Sequence, residues 1–233
     1  MRGRARRCGS GPVALPAPCR WRRRGSSAEA AVPDDLARLK AELAAFGAAH
    51  DAAATTRGER MLNITPDTGE FLAVLVRATR ARRIVEIGTS NGYSTLWLAE
   101  AAQVQGGHVI TLERDAGKVA MARENFIRAR LSPVITQWQG DAGDWLAAAP
   151  AASMDLLFLD SHRAAYAGWW PWIDRVLRPG GLLVVDNAVS HAEEMAPLRA
   201  LLDAAPGYAV SLVPVGKGEL LAVKPGGQVL KGS

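Results

Sequence analysis

The run VEIGTSNGYS, residues 85–94, contains the turn that decides how the fold of this chain is interpreted. Residues 84–87 form a short apolar run typical of a buried strand, and a helical pattern begins at Tyr93. Gly88 and Gly92 stand in the connection between them. Glycine lets the backbone pass close to a ligand, and the start of a helix offers free N–H donors. The run therefore predicts a strand, a ligand-binding turn and a helix.

Short apolar runs alternate with helical patterns through the rest of the chain. We predict seven strands, at residues 84–87, 109–112, 134–138, 156–159, 182–185, 210–213 and 220–223. Helical patterns separate the first five, at residues 93–102, 116–130, 142–149 and 164–177. Apolar strands separated by helices indicate an α/β fold with a mostly parallel sheet and helices on both faces. The last two strands are joined by residues 214–218 without a helix, which predicts a C-terminal antiparallel hairpin.

Two further helices are expected ahead of the first strand, at residues 34–50 and from Pro66 to about residue 80. Thr65 has the residue type of an N-cap, and Pro66 suits the first helical position. We therefore expect one domain over residues 31–233, whose N-terminal helical segment spans residues 31–80.

The positive charge of the chain is concentrated at its beginning. The formal net charge is +5, but residues 1–27 hold eight arginines and no carboxylate. Without these arginines, 28 − 8 = 20 basic residues face 23 acidic ones, a balance of −3. Residues 1–30 are predicted to be a disordered arm, since they have too few apolar residues to fold alone. A disordered tail or a misassigned start is favoured over an organellar transit peptide.

Composition also restricts compartment and partners. Both cysteines, Cys8 and Cys19, lie in the arm, so the domain is expected to have no disulfide, consistent with a cytoplasmic protein. No run approaches the roughly 18 apolar residues of a membrane span. We expect neither membrane nor nucleic acid as partner, although an RNA-binding module using the basic arm stays an alternative.

The turn and the second strand together indicate the class of cofactor. The glycine spacing G-x-x-x-G differs from the G-x-G-x-x-G of dinucleotide binders. Glu113 ends the second strand, where it can accept hydrogen bonds from ribose hydroxyls. The sequence therefore predicts a nucleoside-containing cofactor. NAD is the weaker candidate, because the glycine spacing is not that of dinucleotide binders.

Oxygen-bearing side chains follow two other predicted strands. Asp160 ends the fourth strand, and Asp186 and Asn187 end the fifth. Adjacent carboxyl ends of parallel strands converge on one crevice, and two carboxylates with an amide oxygen suit Mg²⁺. The simpler interpretation is that these residues only cap the loops that follow them.

Four motifs resemble those of one family. VEIGTSNGYSTLWLA, preceded by MLNITPDTGEFL and followed by FLDSHRAAY and VVDNAV, resembles the cation-dependent small-molecule O-methyltransferases, which include catechol and caffeoyl-coenzyme A O-methyltransferases. The resemblance extends from Met61 to the C-terminus. It implies a Rossmann-like class I methyltransferase fold, S-adenosyl-L-methionine as cofactor, Mg²⁺ or another divalent cation, a small acceptor with a hydroxyl, and a homodimer.

The resemblance also implies roles for individual residues. Cofactor contacts would come from Glu86, Gly88, Thr89 and Ser94 at the amino-acid end, Glu113 at the ribose, Asp141 and Ala142 at the adenine, Ile64 as a cover from the other side, and Asp160. The metal ligands would be Asp160, Asp186 and Asn187.

One position departs from the family pattern. The family has a lysine general base three residues after its first metal aspartate, whereas this chain has Arg163. A guanidinium group keeps its protons at any working pH. The catalytic candidates are therefore Asp160, Arg163 as a stabiliser of an acceptor already acidified by the metal, and His162 as an alternative base. A metal-independent methyltransferase and a cofactor-binding protein without turnover stay alternatives.

Overall fold

A seven-stranded sheet lies at the centre of residues 33–226, the part of the chain that the computed structural model describes. The predicted arm, residues 1–30 with both cysteines, lies outside the described residues. The strands run in the order β3-β2-β1-β4-β5-β7-β6. Their bounds are Arg83–Ile87 (β1), His108–Glu113 (β2), Ile135–Gln139 (β3), Met154–Leu159 (β4), Leu177–Val185 (β5), Ala209–Val213 (β6) and Glu219–Val223 (β7).

The first five strands pair in parallel, while β7 pairs antiparallel with both β5 and β6. The mostly parallel sheet and the C-terminal hairpin are therefore confirmed. The helices are Pro33–Ala53 (α1), Pro66–Ala78 (α2), Tyr93–Gln103 (α3), Ala116–Arg128 (α4), Ala142–Ala148 (α5), Tyr166–Val176 (α6) and Ala192–Ala204 (α7). None of these helices of residues 33–226 is long and apolar enough to cross a bilayer.

Alternating side chains of the sheet enter two separate apolar cores. In β4, Leu156 and Phe158 pack with residues of α1 to α4, whereas Leu157 and Leu159 pack with residues of α5 to α7. All four are fully buried. A continuous apolar run such as Leu156–Leu159 is what a sheet covered on both faces requires.

The structure contains one helix that the sequence analysis did not assign. Helix α7 connects β5 and β6. It was missed although its buried residues Met195, Leu198 and Leu202 have helical spacing. Pro197 lies inside it and interrupts the pattern, because proline removes a helical hydrogen bond. The helix predicted from residue 164 also differs, since Arg163–Ala165 form a short 3₁₀ turn ahead of α6.

Asp155, at the start of β4, joins the beginnings of three strands. Its carboxylate accepts hydrogen bonds from the backbone N–H of Arg82 (3.0 Å) and Arg83 (2.8 Å) and from the guanidinium groups of Arg83 (3.0 Å) and Arg178 (2.7 Å). Burial alone would raise the pKa of Asp155, but these hydrogen bonds outweigh it and hold the pKa well below its usual range. The carboxylate therefore links β1, β4 and β5 at the end of the sheet opposite the crevice.

We expect Asp155→Ala to lower the free energy of unfolding by about 3 kcal/mol at pH 7, because several charge-assisted hydrogen bonds are lost together. The folded-state pKa is depressed, so the ionic contribution is complete above the unfolded pKa of about 4 and decreases as the pH falls toward the folded value. Urea unfolding of both proteins should therefore give a smaller difference at pH 3 than at pH 7. Asp203→Ala is the control, since its ion pair with Arg199 is exposed and should contribute less than about 1 kcal/mol. An equal effect of the two substitutions would contradict the role of Asp155.

Candidate functional site

The carboxyl ends of β1 and β4 flank the point where the strand order reverses. Strands β1, β2 and β3 extend to one side of this point, and β4 and β5 extend to the other. In open α/β sheets a crevice forms at such a point and holds the ligand. The residues assigned to cofactor and metal in the sequence analysis lie mainly on the loops around this crevice.

The glycine turn passes close to the next strand. Gly88 has a φ of +110°, and a Cβ at this position would lie 2.0 Å from the backbone carbonyl oxygen of Asp160. Gly92, with a φ of +86°, stands at the N-cap of α3, which has neither a side-chain cap nor an acidic residue in its first turn. The backbone N–H of Tyr93 donates to Oδ1 of Asn91 at 3.2 Å, and the N–H groups that follow it at this helix start can serve a ligand carboxylate.

Glu86, near the end of β1, is fully buried just ahead of the glycine turn. Its carboxylate accepts hydrogen bonds from the hydroxyls of Ser94 (2.5 Å), Thr111 (2.6 Å) and Thr95. Thr89 joins the cluster through its hydroxyl, 2.5 Å from that of Thr111. Burial raises the pKa of Glu86 to about 7 even though the three hydroxyls act in the opposite direction. The hydroxyl of Ser94 is thus engaged with Glu86, and its predicted contact with the cofactor stays a prediction.

Glu113 is held at the end of β2 by backbone groups. Its carboxylate accepts hydrogen bonds from the backbone N–H groups of Ser90 (3.0 Å), Arg114 (2.9 Å) and Asp115 (3.0 Å). These contacts fix the side chain beside the glycine turn and still leave acceptor capacity on its oxygens. The position is compatible with hydrogen bonds from two ribose hydroxyls.

The residues expected around the adenine and above the cofactor have clear structural roles of their own. Asp141 is the N-cap of α5 and accepts the backbone N–H of Gly143 at 2.8 Å, with buried Ala142 between them. Ile64, just ahead of α2, is 4% exposed and belongs to the apolar core. Neither arrangement tests the predicted contacts with a ligand.

Asp160, Asp186 and Asn187 come together at the ends of β4 and β5. The amide nitrogen of Asn187 lies 3.3 Å from Oδ1 of Asp160 and also donates to Oδ2 of Asp186. Asn187 has a φ of +66°, a left-handed conformation that asparagine adopts more readily than most residues. Burial and the carboxylates of Asp186 and Glu86 raise the pKa of Asp160 well above its usual value.

This donor set fits a divalent cation. The two crowded carboxylates repel each other unless a positive charge compensates them. The amide nitrogen of Asn187 faces them in this structure, and a 180° rotation of the amide would direct its oxygen to the same place as a third oxygen ligand. Within residues 33–226, no three Asp, Glu, His or Cys side chains group closely enough to hold a metal by themselves. The candidate site therefore depends on the amide of Asn187.

Arg163 is buried beside this set. Its Nε donates to Glu194 of α7 at 3.1 Å, and its positive charge partly offsets the raised pKa of Asp160. His162 is exposed at the start of the 3₁₀ turn. The structure thus places Arg163, and not His162, in the buried surroundings of the carboxylates.

Two acidic residues near the site were not identified from the sequence. Glu194 is the partner of Arg163, and Glu219, at the start of β7, is fully buried. Burial together with the carboxyl groups of Asp186 and Asp160 raises the pKa of Glu219 to about 10. Its signal in the sequence is an acidic residue directly between Gly218 and the last apolar run, but only the strand order reveals its neighbours.

Comparisons with known proteins identify the family to which the chain is similar. A family model described as O-methyltransferase matches residues 42–224. The chain is 36% identical over 135 residues to a catechol O-methyltransferase of Niastella koreensis (57% of this chain, 61% of the relative) and 37% identical over 147 residues to one of Mycobacterium tuberculosis (63% and 64%). These matches span less than two thirds of either relative. The O-methyltransferase TomG of Streptomyces achromogenes, solved with SAM, is 25% identical with a TM-score of 0.67, over 86% of this chain and 93% of that one.

We expect Gly88→Ala to lower the free energy of unfolding by about 3 kcal/mol, because the added Cβ overlaps a backbone atom of the adjacent loop. Urea unfolding measures this change. Gly168→Ala is the matched control: nothing lies within 4 Å of its added Cβ inside α6, and a gain of about 0.5–1 kcal/mol is expected. Similar stabilities of the two variants would contradict the close approach of Gly88 to Asp160.

Proposed function

The chain belongs to the O-methyltransferase family, and from that premise we propose that it methylates a hydroxyl of a small aromatic acceptor, using S-adenosylmethionine and a divalent cation. The crevice has two halves: the first is the glycine turn with the end of β2, and the second is formed by the ends of β4 and β5. The observation that carries this proposal is the contact between these two halves. Gly88 of the glycine turn lies directly against the backbone of Asp160, the first candidate metal ligand. A donor held by the turn and an acceptor held near Asp160 would therefore be neighbours.

Residues of the first half would bind and orient the cofactor. The N–H groups at the start of α3 suit its carboxylate, and Glu113 suits its ribose. Glu86 holds the turn in shape through the hydroxyls of Ser94 and Thr111. Fixing the donor in one orientation supplies much of the catalysis of an in-line displacement.

Residues of the second half would hold the cation. Asp160, Asp186 and Asn187 supply oxygen ligands, and a bound cation would make an acceptor hydroxyl easier to deprotonate. Two adjacent hydroxyls can chelate one cation, which favours a vicinal aromatic diol as acceptor. The names of the two curated relatives, both catechol O-methyltransferases, support the same acceptor class.

Arg163 would act on the acceptor by charge and not by proton transfer. Its guanidinium cannot serve as a base, and Glu194 fixes it through Nε. A positive charge fixed before the reaction stabilises an oxyanion that develops beside it. His162 stays the alternative base. The homodimer and the cytoplasmic location also stay predictions.

The decisive experiment is methylation of catechol with Mg²⁺, with and without excess EDTA, followed by mass spectrometry of the product. We expect monomethylation with Mg²⁺ and its loss with EDTA, because the metal acidifies the acceptor hydroxyl. Resorcinol, whose hydroxyls are not adjacent, is the matched acceptor and should react poorly. Turnover that EDTA does not affect would support a metal-independent methyltransferase. Binding of S-adenosylhomocysteine without turnover of any diol would support a protein that only binds the cofactor.

We expect Arg163→Met to lower kcat/KM about 10²-fold, the usual effect of removing one group that stabilises an oxyanion. The loss should be the same from pH 7 to pH 9, because the charge of an arginine does not change in that range. Arg199→Met removes an exposed arginine of α7 and should leave kcat/KM unchanged. A deficit of Arg163→Met that disappears at pH 9 would instead indicate a role in proton transfer.

A further inference from the structure

Glu219 lies behind the candidate metal ligands, on the strand next to them. Val185 of β5 pairs with Leu220 of β7, so the same antiparallel register brings Asp186 opposite Glu219. Side chains directly opposite in such a pair have Cβ atoms about 4.5–5.5 Å apart. Glu219 has no exposed surface, and Asp186 is 3% exposed. Two buried carboxyl groups therefore face each other across neighbouring strands.

The carboxyl group of Glu219 is only partly satisfied. Oε1 accepts a hydrogen bond from the hydroxyl of Thr68 in α2, at 3.3 Å. Oε2 is enclosed and receives no hydrogen bond from a donor group of the described residues, and its polar neighbour is the carboxyl group of Asp186. An unpartnered buried oxygen beside a buried carboxylate destabilises the fold. A buried carboxyl group that destabilises the fold in this way is expected where it serves a binding or catalytic site.

The structure also fixes Glu219 from the side of α2. Gly216, in the turn between β6 and β7, donates its backbone N–H to Asp67 at 3.0 Å. A Cβ at Gly216 would lie 2.1 Å from the hydroxyl oxygen of Thr68, so this turn is packed tightly on the start of α2. Glu219 thus cannot move away from Asp186 without separating the hairpin from α2.

We infer that Glu219 is a positioning residue for the metal site: it orients the carboxyl group of Asp186 from behind and connects it through Thr68 to the start of α2. This inference rests on the proposed function, since it assumes that Asp186 binds a cation. Polar groups that orient metal ligands in this way typically contribute 10- to 100-fold to metal affinity.

The test measures Mn²⁺ binding to the full chain by electron paramagnetic resonance, together with thermal unfolding of the metal-free protein. We expect Glu219→Leu to weaken Mn²⁺ binding at least tenfold while the melting temperature stays the same or rises, because a buried carboxyl group with a single long hydrogen bond, to Thr68, is replaced by an apolar group of similar size. Glu219→Gln keeps the shape and one oxygen that can accept from Thr68, and its amide N–H can donate to the Asp186 carboxylate, so it should restore the affinity to within about threefold of the original protein. Affinity for S-adenosylhomocysteine should be unchanged in both variants.

Glu124→Leu and Glu124→Gln are the matched controls, since Glu124 is exposed on α4, and neither should change Mn²⁺ binding.

An affinity for Mn²⁺ of Glu219→Leu equal to that of the original protein would overturn the inference. A Glu219→Gln variant that binds Mn²⁺ as weakly as Glu219→Leu would also overturn it. A Leu variant with both a lower melting temperature and weaker S-adenosylhomocysteine binding would also overturn it, in favour of a purely structural role. If the original protein binds no Mn²⁺, the metal part of the proposed function fails and the inference fails with it. If the original protein binds Mn²⁺ and the Leu variant binds it equally well, only the inference fails.

Discussion

The close approach of the backbone at Gly88 to the backbone at Asp160 is the constraint on which the rest of the site depends. It exists because β1 and β4 are neighbours although three helices and two strands separate them in the chain. A side chain at position 88 would have to occupy space that the carbonyl of Asp160 already fills. The contact therefore determines how near a cofactor on the turn can come to whatever Asp160 binds.

The fold could be predicted from the sequence to a large extent, because the central strands β1, β4 and β5 are largely buried on both faces. Such strands are continuous apolar runs, and each of the seven predicted runs overlaps a strand of the structure, although β5 begins at Leu177, ahead of the predicted residues 182–185. Helix α7 was missed because a proline inside it obscured its periodicity. The short 3₁₀ turn at Arg163 was merged with the helix that follows it, since the two patterns adjoin.

The candidate site could be predicted only in part. Residues that end strands, such as Asp160 and Asp186, are visible in a linear sequence because a polar residue follows an apolar run. Glu219 and Glu194 meet their partners only through the pairing of β5 with β7 and the packing of α7. Such neighbours depend on strand order and helix docking, which a single sequence does not encode locally.

The position of β7 has a consequence for the order in which the parts of the crevice form during synthesis. β7 is the last of the seven strands in residues 33–226, yet it lies inside the sheet, between β5 and β6. A nascent chain that has not yet released Glu219 from the ribosome already contains β1 to β5 and the glycine turn, but β6 has no partner strand. The cofactor side of the crevice can thus form before Glu219 is available, whereas the carboxylates at the ends of β4 and β5 reach their final surroundings only after Glu219 has left the ribosome.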